Sequence, residues 1–180
     1  MSTPCSPATL AFLAFLAAVA FPAAAADGND GMTHLHLYIH ETITGANATT
    51  ALLNGSPLGG NSSFGSLSAI DDELREGSDP TSQYLGRAEG LLVQADLGSP
   101  AASCTILSLV FTDGDYNGST LVVNGRSDFG GDGKAVVERG VVGGTGRFRR
   151  ARGYSLMTKF GNPTPSTVVF EMELYVKIGV

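Results

Sequence analysis

The sequence predicts an all-β chain, an antiparallel barrel or sandwich, and three observations carry that prediction. Seven runs alternate apolar and polar residues with the period of two that half-buried strands require. Gly, Asn, Asp or Pro separates nearly every pair of runs, as in "TDGDYNGS" and "FGNPTPS". After the apolar N-terminus no helix-period stretch of ten residues stands out, so no βαβ pattern competes. Closing such a sheet removes its exposed edges, and a barrel of about eight strands has room for one small ligand.

The elements follow in chain order. Residues 10–21, "LAFLAFLAAVAF", are too short to span a membrane and lead into "PAAAAD". Residues 1–26 therefore read as a secretory signal peptide cut after Ala26, although its first residues lack Lys and Arg. No second apolar run of this kind follows, so the remaining chain is expected to be soluble, with no membrane partner. Residues 27–32 read as a loose tail and 33–180 as one barrel domain. In "THLHLYIHET" (33–42), Leu35, Leu37 and Ile39 share one face with Glu41, and His34, His36, Tyr38 and His40 share the other. Strand signals continue at 84–97, 103–112, 119–126, 135–142, 154–160 and 167–178. The last is the clearest: Val169, Glu171, Glu173 and Tyr175 oppose Phe170, Met172, Leu174 and Val176.

Charge and cysteine content narrow the function. The net charge of −6 lies wholly in residues 27–180, and an acidic chain is a poor match for nucleic acid. Cys104 alone would survive cleavage, and its apolar run "SCTILSLVF" predicts a buried structural thiol. Asn47, Asn54, Asn61 and Asn117 each begin an Asn-x-Ser/Thr sequon in a turn-rich stretch, as glycosylation sites of a secreted protein would.

"VVGGTGRFRRARGY" (141–154) has the look of a phosphate loop but lacks its Lys, and it opens no long helix. Gly143, Gly144 and Gly146 instead predict a tight turn needing positive φ at one or more of them. Thr145 would cap a single helical turn, and Gly153 would end it. Asp71 and Asp72 in "AIDDELREG" read as a loop cap or ion-pair site, with Arg87 as a further structural residue. Arg152 is the arginine expected in a buried ion pair.

The candidates for chemistry are few. His34-x-His36 with His40 is a metal cue, but no other histidine completes a ligand set, so no metal is expected. Glu41 stands out because its face is otherwise apolar. A carboxylate there either pairs with a cation or sits in a cavity with a raised pKa.

Five blocks, "LYIHETITG", "FGSLSAIDDELREG", "YLGRAEGLLVQAD", "FTDGDYNGSTLVVNGR" and "VVGGTGRFRRARGY", occur in the order seen in plant dirigent proteins, and the chain resembles that family over about 33–178. The resemblance implies an eight-stranded antiparallel barrel with a central ligand pocket, related to the allene oxide cyclase barrel. It implies a homo-oligomer, a trimer with a dimer as the alternative, secreted to the apoplast or cell wall. It implies stereoselective coupling of phenoxy radicals, made by a separate laccase or peroxidase from monolignols such as coniferyl alcohol, with no cofactor. Carried over by position, it makes Glu41 and Asp128 the catalytic carboxylates and His40 and Phe170 substrate-binding, and it sets Val137 where relatives place a pocket arginine. Lys134 and Arg139 are the substitutes for that arginine. Two further readings stay open: a dehydratase or cyclase acting through a quinone methide, as in pterocarpan formation, or a defence-related wall or carbohydrate-binding protein.

Overall fold

The computed structural model describes residues 31–179, so the expected signal peptide and most of the expected tail lie outside the described residues. Nine strands follow: β1 (Thr33–Thr42), β2 (Thr50–Asn54), β3 (Leu67–Arg75), β4 (Tyr84–Val93), β5 (Ser103–Phe111), β6 (Thr120–Ser127), β7 (Val137–Thr145), β8 (Arg152–Thr164) and β9 (Thr167–Lys177). Neighbours in sequence pair antiparallel from β2 through β9, and β1 pairs with β9 along its whole length. Its other edge meets β3, where His40, Ile39 and Tyr38 face Glu73, Leu74 and Arg75. That seam closes β1 and β3–β9 into the eight-stranded antiparallel barrel the sequence led us to expect. Beyond the seam, β2 takes over the free part of the β3 edge, pairing Thr50 with Ile70 and Ala51 with Ala69.

Two strands, β2 and β3, escape the sequence pattern. In β3, "LSAIDDELR" puts three acidic residues in a row, a composition depleted in strands. The alternation is nonetheless regular. Asp72 and Leu74 are buried, while Asp71 is exposed. The expected loop cap at Asp71-Asp72 is thus corrected to a strand whose two aspartates point to opposite faces. β8 likewise runs on through Asn162 and Pro163 to Thr164, past the turn expected at 160–166.

Alternation sorts side chains cleanly elsewhere. In β5, Ser103, Thr105, Leu107, Leu109 and Phe111 are buried, and Cys104 and Ile106 are exposed. The expected buried thiol is therefore corrected: Cys104 is free and on the outer surface. One end of the barrel is filled by Leu121, Leu174, Val176, Phe111 and Phe148. The Phe148 ring lies 4.7 Å from that of Tyr116, stacked, and 5.5 Å from that of Phe111. Burying each such large apolar side chain contributes about 1.5–3 kcal/mol.

The glycine–arginine stretch serves this closed end. β7 runs through Gly143 and Gly144, and a one-turn 3₁₀ helix at Gly146–Phe148 then delivers Phe148 to the core. Gly146 has φ 58°, and a Cβ there would lie 2.5 Å from Ser119 Oγ. The expected caps are corrected. Thr145 makes no capping bond, because its hydroxyl engages Thr120 at 2.8 Å. Arg150, with φ 64°, takes the left-handed position expected of Gly153, which lies inside β8. Arg152 forms no buried ion pair. It is exposed and donates to the carbonyls of Val142 and Ala151 at 2.6 and 2.8 Å. Among the described residues, no helix is long and apolar enough to cross a membrane.

Candidate active site

At the opposite end, the inward positions of the same strands enclose a cavity of about 230 Å³. Ile39, Ile70, Leu92, Leu107, Met157 and Phe170 make its walls apolar. Against that background stand two carboxyls and a guanidinium: Glu41 from β1, Asp72 from β3 and Arg139 from β7. A second, larger cleft of about 320 Å³ runs between His34–Leu37 and Asp113–Tyr116, but it is open, and its charged side chains are all exposed.

Glu41 and Asp72 come together where β1 and β3 part. The pairing of His40 with Glu73 is the last rung between them, and Thr49 then takes the place of β1 by accepting from the Asp71 amide at 2.8 Å. Asp72 is 4% exposed, and its carboxylate accepts from the Thr49 hydroxyl at 2.5 Å. Burial pushes its pKa up to about 8; the Thr49 bond opposes the shift, and the nearby Glu41 charge adds to it. Burial alone pushes Glu41 up as well. Such a pair titrates as a unit, with one proton retained near neutrality.

Arg139 is 2% exposed, and its Nη1 donates to Thr105 Oγ1 at 2.9 Å. Nη2 lies 2.9 Å from the Met157 sulfur, and Nε has no hydrogen-bond partner among the described residues. Desolvation lowers its pKa to about 10, which still leaves it charged at neutral pH. The Thr105 hydroxyl shares a further bond with Ser127 Oγ at 3.0 Å.

The sequence-derived candidates divide. Glu41 is in the cavity, and Phe170 lines it with its ring 5.2 Å from that of Phe129. His40 faces outward and bonds the Gly77 carbonyl at 3.0 Å. Asp128 does not join Glu41. Its neighbours Ser127 and Phe129 line the cavity, while its own carboxylate accepts from the Gly130 amide and pairs with Arg126 at 2.9 Å. Those bonds, that of Gly130 first, lower its pKa. Asp71 pairs with Arg87 at 2.7 Å on the outer surface. Two further cavity residues were read differently from the sequence, Asp72 as a loop cap or ion-pair site and Arg139 only as a substitute for a missing pocket arginine. Asp72 betrays itself only if Ile70-x-Asp72-x-Leu74 is read as one strand face. Arg139 sits between Val137 and Val141, both buried, so strand parity alone places it inside, two residues along from the position the resemblance marked.

On the outer surface, His36 lies 2.9 Å from Glu171 and 3.5 Å from Glu173, and His34 also contacts Glu173. His36, Glu171 and Glu173 could hold a metal ion, with ligand atoms within 4.8 Å of one another. His36 and Glu173 are directly opposed across β1 and β9, with Glu171 opposite Tyr38, all on the outer face away from the cavity.

The cavity thus offers a protonated carboxyl beside a second carboxyl in apolar surroundings, an arrangement that can both donate and accept a proton at a bound molecule. Comparison with known proteins agrees in family and fold. The family model described as "Dirigent-like protein" matches residues 32–177. Dirigent protein 1 of Arabidopsis thaliana is 40% identical over 134 residues, 69% of this chain and 67% of the relative. Pterocarpan synthase 1 of Glycine max is 36% identical over 129 residues, 68% of this chain and 66% of the relative. A solved pterocarpan synthase dirigent protein superposes with a TM-score of 0.71 at 31% identity, covering 81% of this chain and 83% of its own.

Proposed function

The chain belongs to the dirigent family, and from that premise we propose that its barrel binds a small phenolic and directs the stereochemistry of bond formation at a quinone-methide intermediate. The observation that carries this reading is the Glu41–Asp72 pair inside a cavity of otherwise apolar walls. Apolar walls hold an aromatic ring, and a few polar groups fix which way it faces. At about 230 Å³ the cavity falls below the ~300–1,000 Å³ usual for drug-sized ligands, which suits one small aromatic molecule.

The chemistry balances without an oxidant. From a phenol bearing a benzylic hydroxyl, protonated Asp72 donates to the leaving hydroxyl, which departs as water. Ionised Glu41 takes the phenolic proton, and the electron pair left on oxygen forms the quinone methide. In the closing step a second hydroxyl attacks the benzylic carbon and gives its proton to one carboxylate, while the other carboxyl protonates the quinone oxygen. Such acid–base help contributes about 10²–10⁴-fold. A difference of about 3 kcal/mol between the two faces of attack gives over a hundredfold selectivity.

A second reading is coupling of two phenoxy radicals, with oxidation supplied by a separate laccase or peroxidase. The half-buried Phe129 and Phe170 rings favour it, because they offer a second aromatic surface at the cavity. Secretion to the cell wall and assembly of copies into a homotrimer belong to the same proposal. Asn47, Asn54, Asn61 and Asn117 are all exposed, as attached glycans require.

The test is chiral chromatography of products from two reactions. In one, the purified protein meets a hydroxybenzylic phenol alone; in the other, it meets coniferyl alcohol with a laccase. Enantiomeric excess in the first establishes the closed-shell reaction, and excess in the second alone establishes radical coupling. Racemic product in both at saturating protein overturns the proposal.

A further inference from the structure

The proton-transfer scheme does not use Arg139, yet Arg139 is the most deeply buried charge among the described residues. A buried guanidinium without an anionic partner is costly, and proteins ordinarily supply a carboxylate. Here the described residues supply only a hydroxyl, Thr105 Oγ1, and a thioether, Met157 Sδ. Glu41 and Asp72 line the same cavity but form no ion pair with it among the described residues. Neither carboxyl therefore supplies Arg139 with a bonded counter-charge, and burial disfavours the charged form of each.

The site around it is built rather than incidental. Thr105 fixes one end of the guanidinium, and Ser127 in turn orients Thr105. β6 makes room for the stem of Arg139 by placing Gly125 beside it, where a Cβ would lie 3.1 Å from Arg139 Cγ. The remaining edge, Nε with Nη2, carries no oxygen acceptor. Two adjacent N–H groups on one guanidinium edge match the two oxygens of a carboxylate. Met157 covers that edge with a weak acceptor on an unbranched, adaptable side chain, which a carboxylate can displace.

We propose that Arg139 is a carboxylate anchor, and that the preferred ligand of the barrel is a phenolic acid of the hydroxycinnamate class rather than the corresponding neutral alcohol. This rests on the reading of the barrel as a phenolic site and adds its substrate class. The acid group would lie against Nε and Nη2 of Arg139, leaving the ring among Ile39, Leu107 and Phe170.

The experiment measures binding of 4-hydroxy-3-methoxycinnamic acid and of coniferyl alcohol to the full chain by calorimetry, at a pH where the acid is ionised. Wild type is expected to bind the acid at least about tenfold more tightly, the scale of one charge-assisted contact. Arg139→Gln should remove that preference, so that acid and alcohol bind within about twofold of each other. Arg139→Lys, which keeps the charge but loses the planar edge, should retain only part of it, and it serves if Arg139→Gln fails to fold. Equal binding of acid and alcohol by wild type overturns the anchor while leaving the phenolic site standing. Survival of the full acid preference in a folded variant overturns it too. Binding of neither compound overturns the phenolic reading itself, and the anchor with it.

Discussion

At one end of the barrel, Phe111, Tyr116 and Phe148 pack into a plug with centroids 4.7–5.7 Å apart. At the other end β5, β7, β1 and β3 present Thr105, Arg139, Glu41 and Asp72 to a cavity. β5 shows the change within one strand: Phe111 and Leu109 face the plug, Thr105 and Ser103 the cavity. The period of two fixes which residues point inward but not what they do there. The closed end contributes stability, because dense apolar packing is favourable. The open end gives some of that up, because each buried polar group there is disfavoured unless a partner satisfies it.

The largest expected effect is therefore at the plug. Phe148→Ala removes a fully buried ring, and it should cost about 3–5 kcal/mol of unfolding free energy, read from the midpoint of denaturant unfolding. If the two ends are separate in function, the enantiomeric excess formed by the folded fraction stays at the wild-type value. A matching loss of selectivity would show that the ends are coupled.

At the open end, Asp72→Asn tests the opposite prediction, a gain in stability. The carboxyl has a pKa near 8 in the folded protein against an ordinary 3.8, so between those values the folded state holds a proton that the unfolded state has released. Stability is thus full below about pH 4 and declines as pH rises through 8, by at most about 6 kcal/mol across the window. Glu41 is shifted the same way and adds to the same slope. Urea titrations at pH 4, 6 and 8 should show wild type weakening while Asp72→Asn keeps only the smaller slope that Glu41 contributes. A wild-type profile that is flat or rises toward pH 8 would break the assignment of Asp72 as a buried neutral acid. Turnover of the closed-shell substrate should fall about 10²–10⁴-fold in the same variant, since an amide cannot pass on a proton.

The barrel itself was largely legible, because seven strands carry a clean alternation. The exceptions have identifiable causes. β3 was hidden by Asp71, Asp72 and Glu73, since a strand that sends one aspartate into a cavity and its neighbour to the surface looks like a polar loop. Glu41 could be singled out because its apolar face-mates are adjacent in sequence. Asp72 could not, because its significance depends on Glu41, thirty-one residues away in the chain, across a seam that exists only once the barrel closes. Arg139 was legible from Val137-x-Arg139-x-Val141, but positional matching to the family drew attention to Val137. The plug residue Phe148 follows a glycine turn with no periodicity of its own, and only tertiary closure turns it inward.

The smallest expected effect separates Asp128 from Glu41, two carboxylates that sequence reasoning placed in the same role. Asp128 follows the end of β6 with its side chain turned away from the cavity, and Gly130 and Arg126 already occupy its oxygens. Such an exposed pair contributes little to stability, so Asp128→Asn should leave the unfolding midpoint nearly unmoved. It should also leave the enantiomeric excess unchanged. Glu41→Gln, with the same loss of one charge, removes the group that accepts a proton inside the cavity, and selectivity and turnover should fall together. Assaying the two variants side by side controls for net charge, because each changes it equally. If Asp128→Asn lowers selectivity as much as Glu41→Gln does, the loop at Asp128–Gly130 must reach the substrate, and the boundary of the open end lies further out than the cavity walls show.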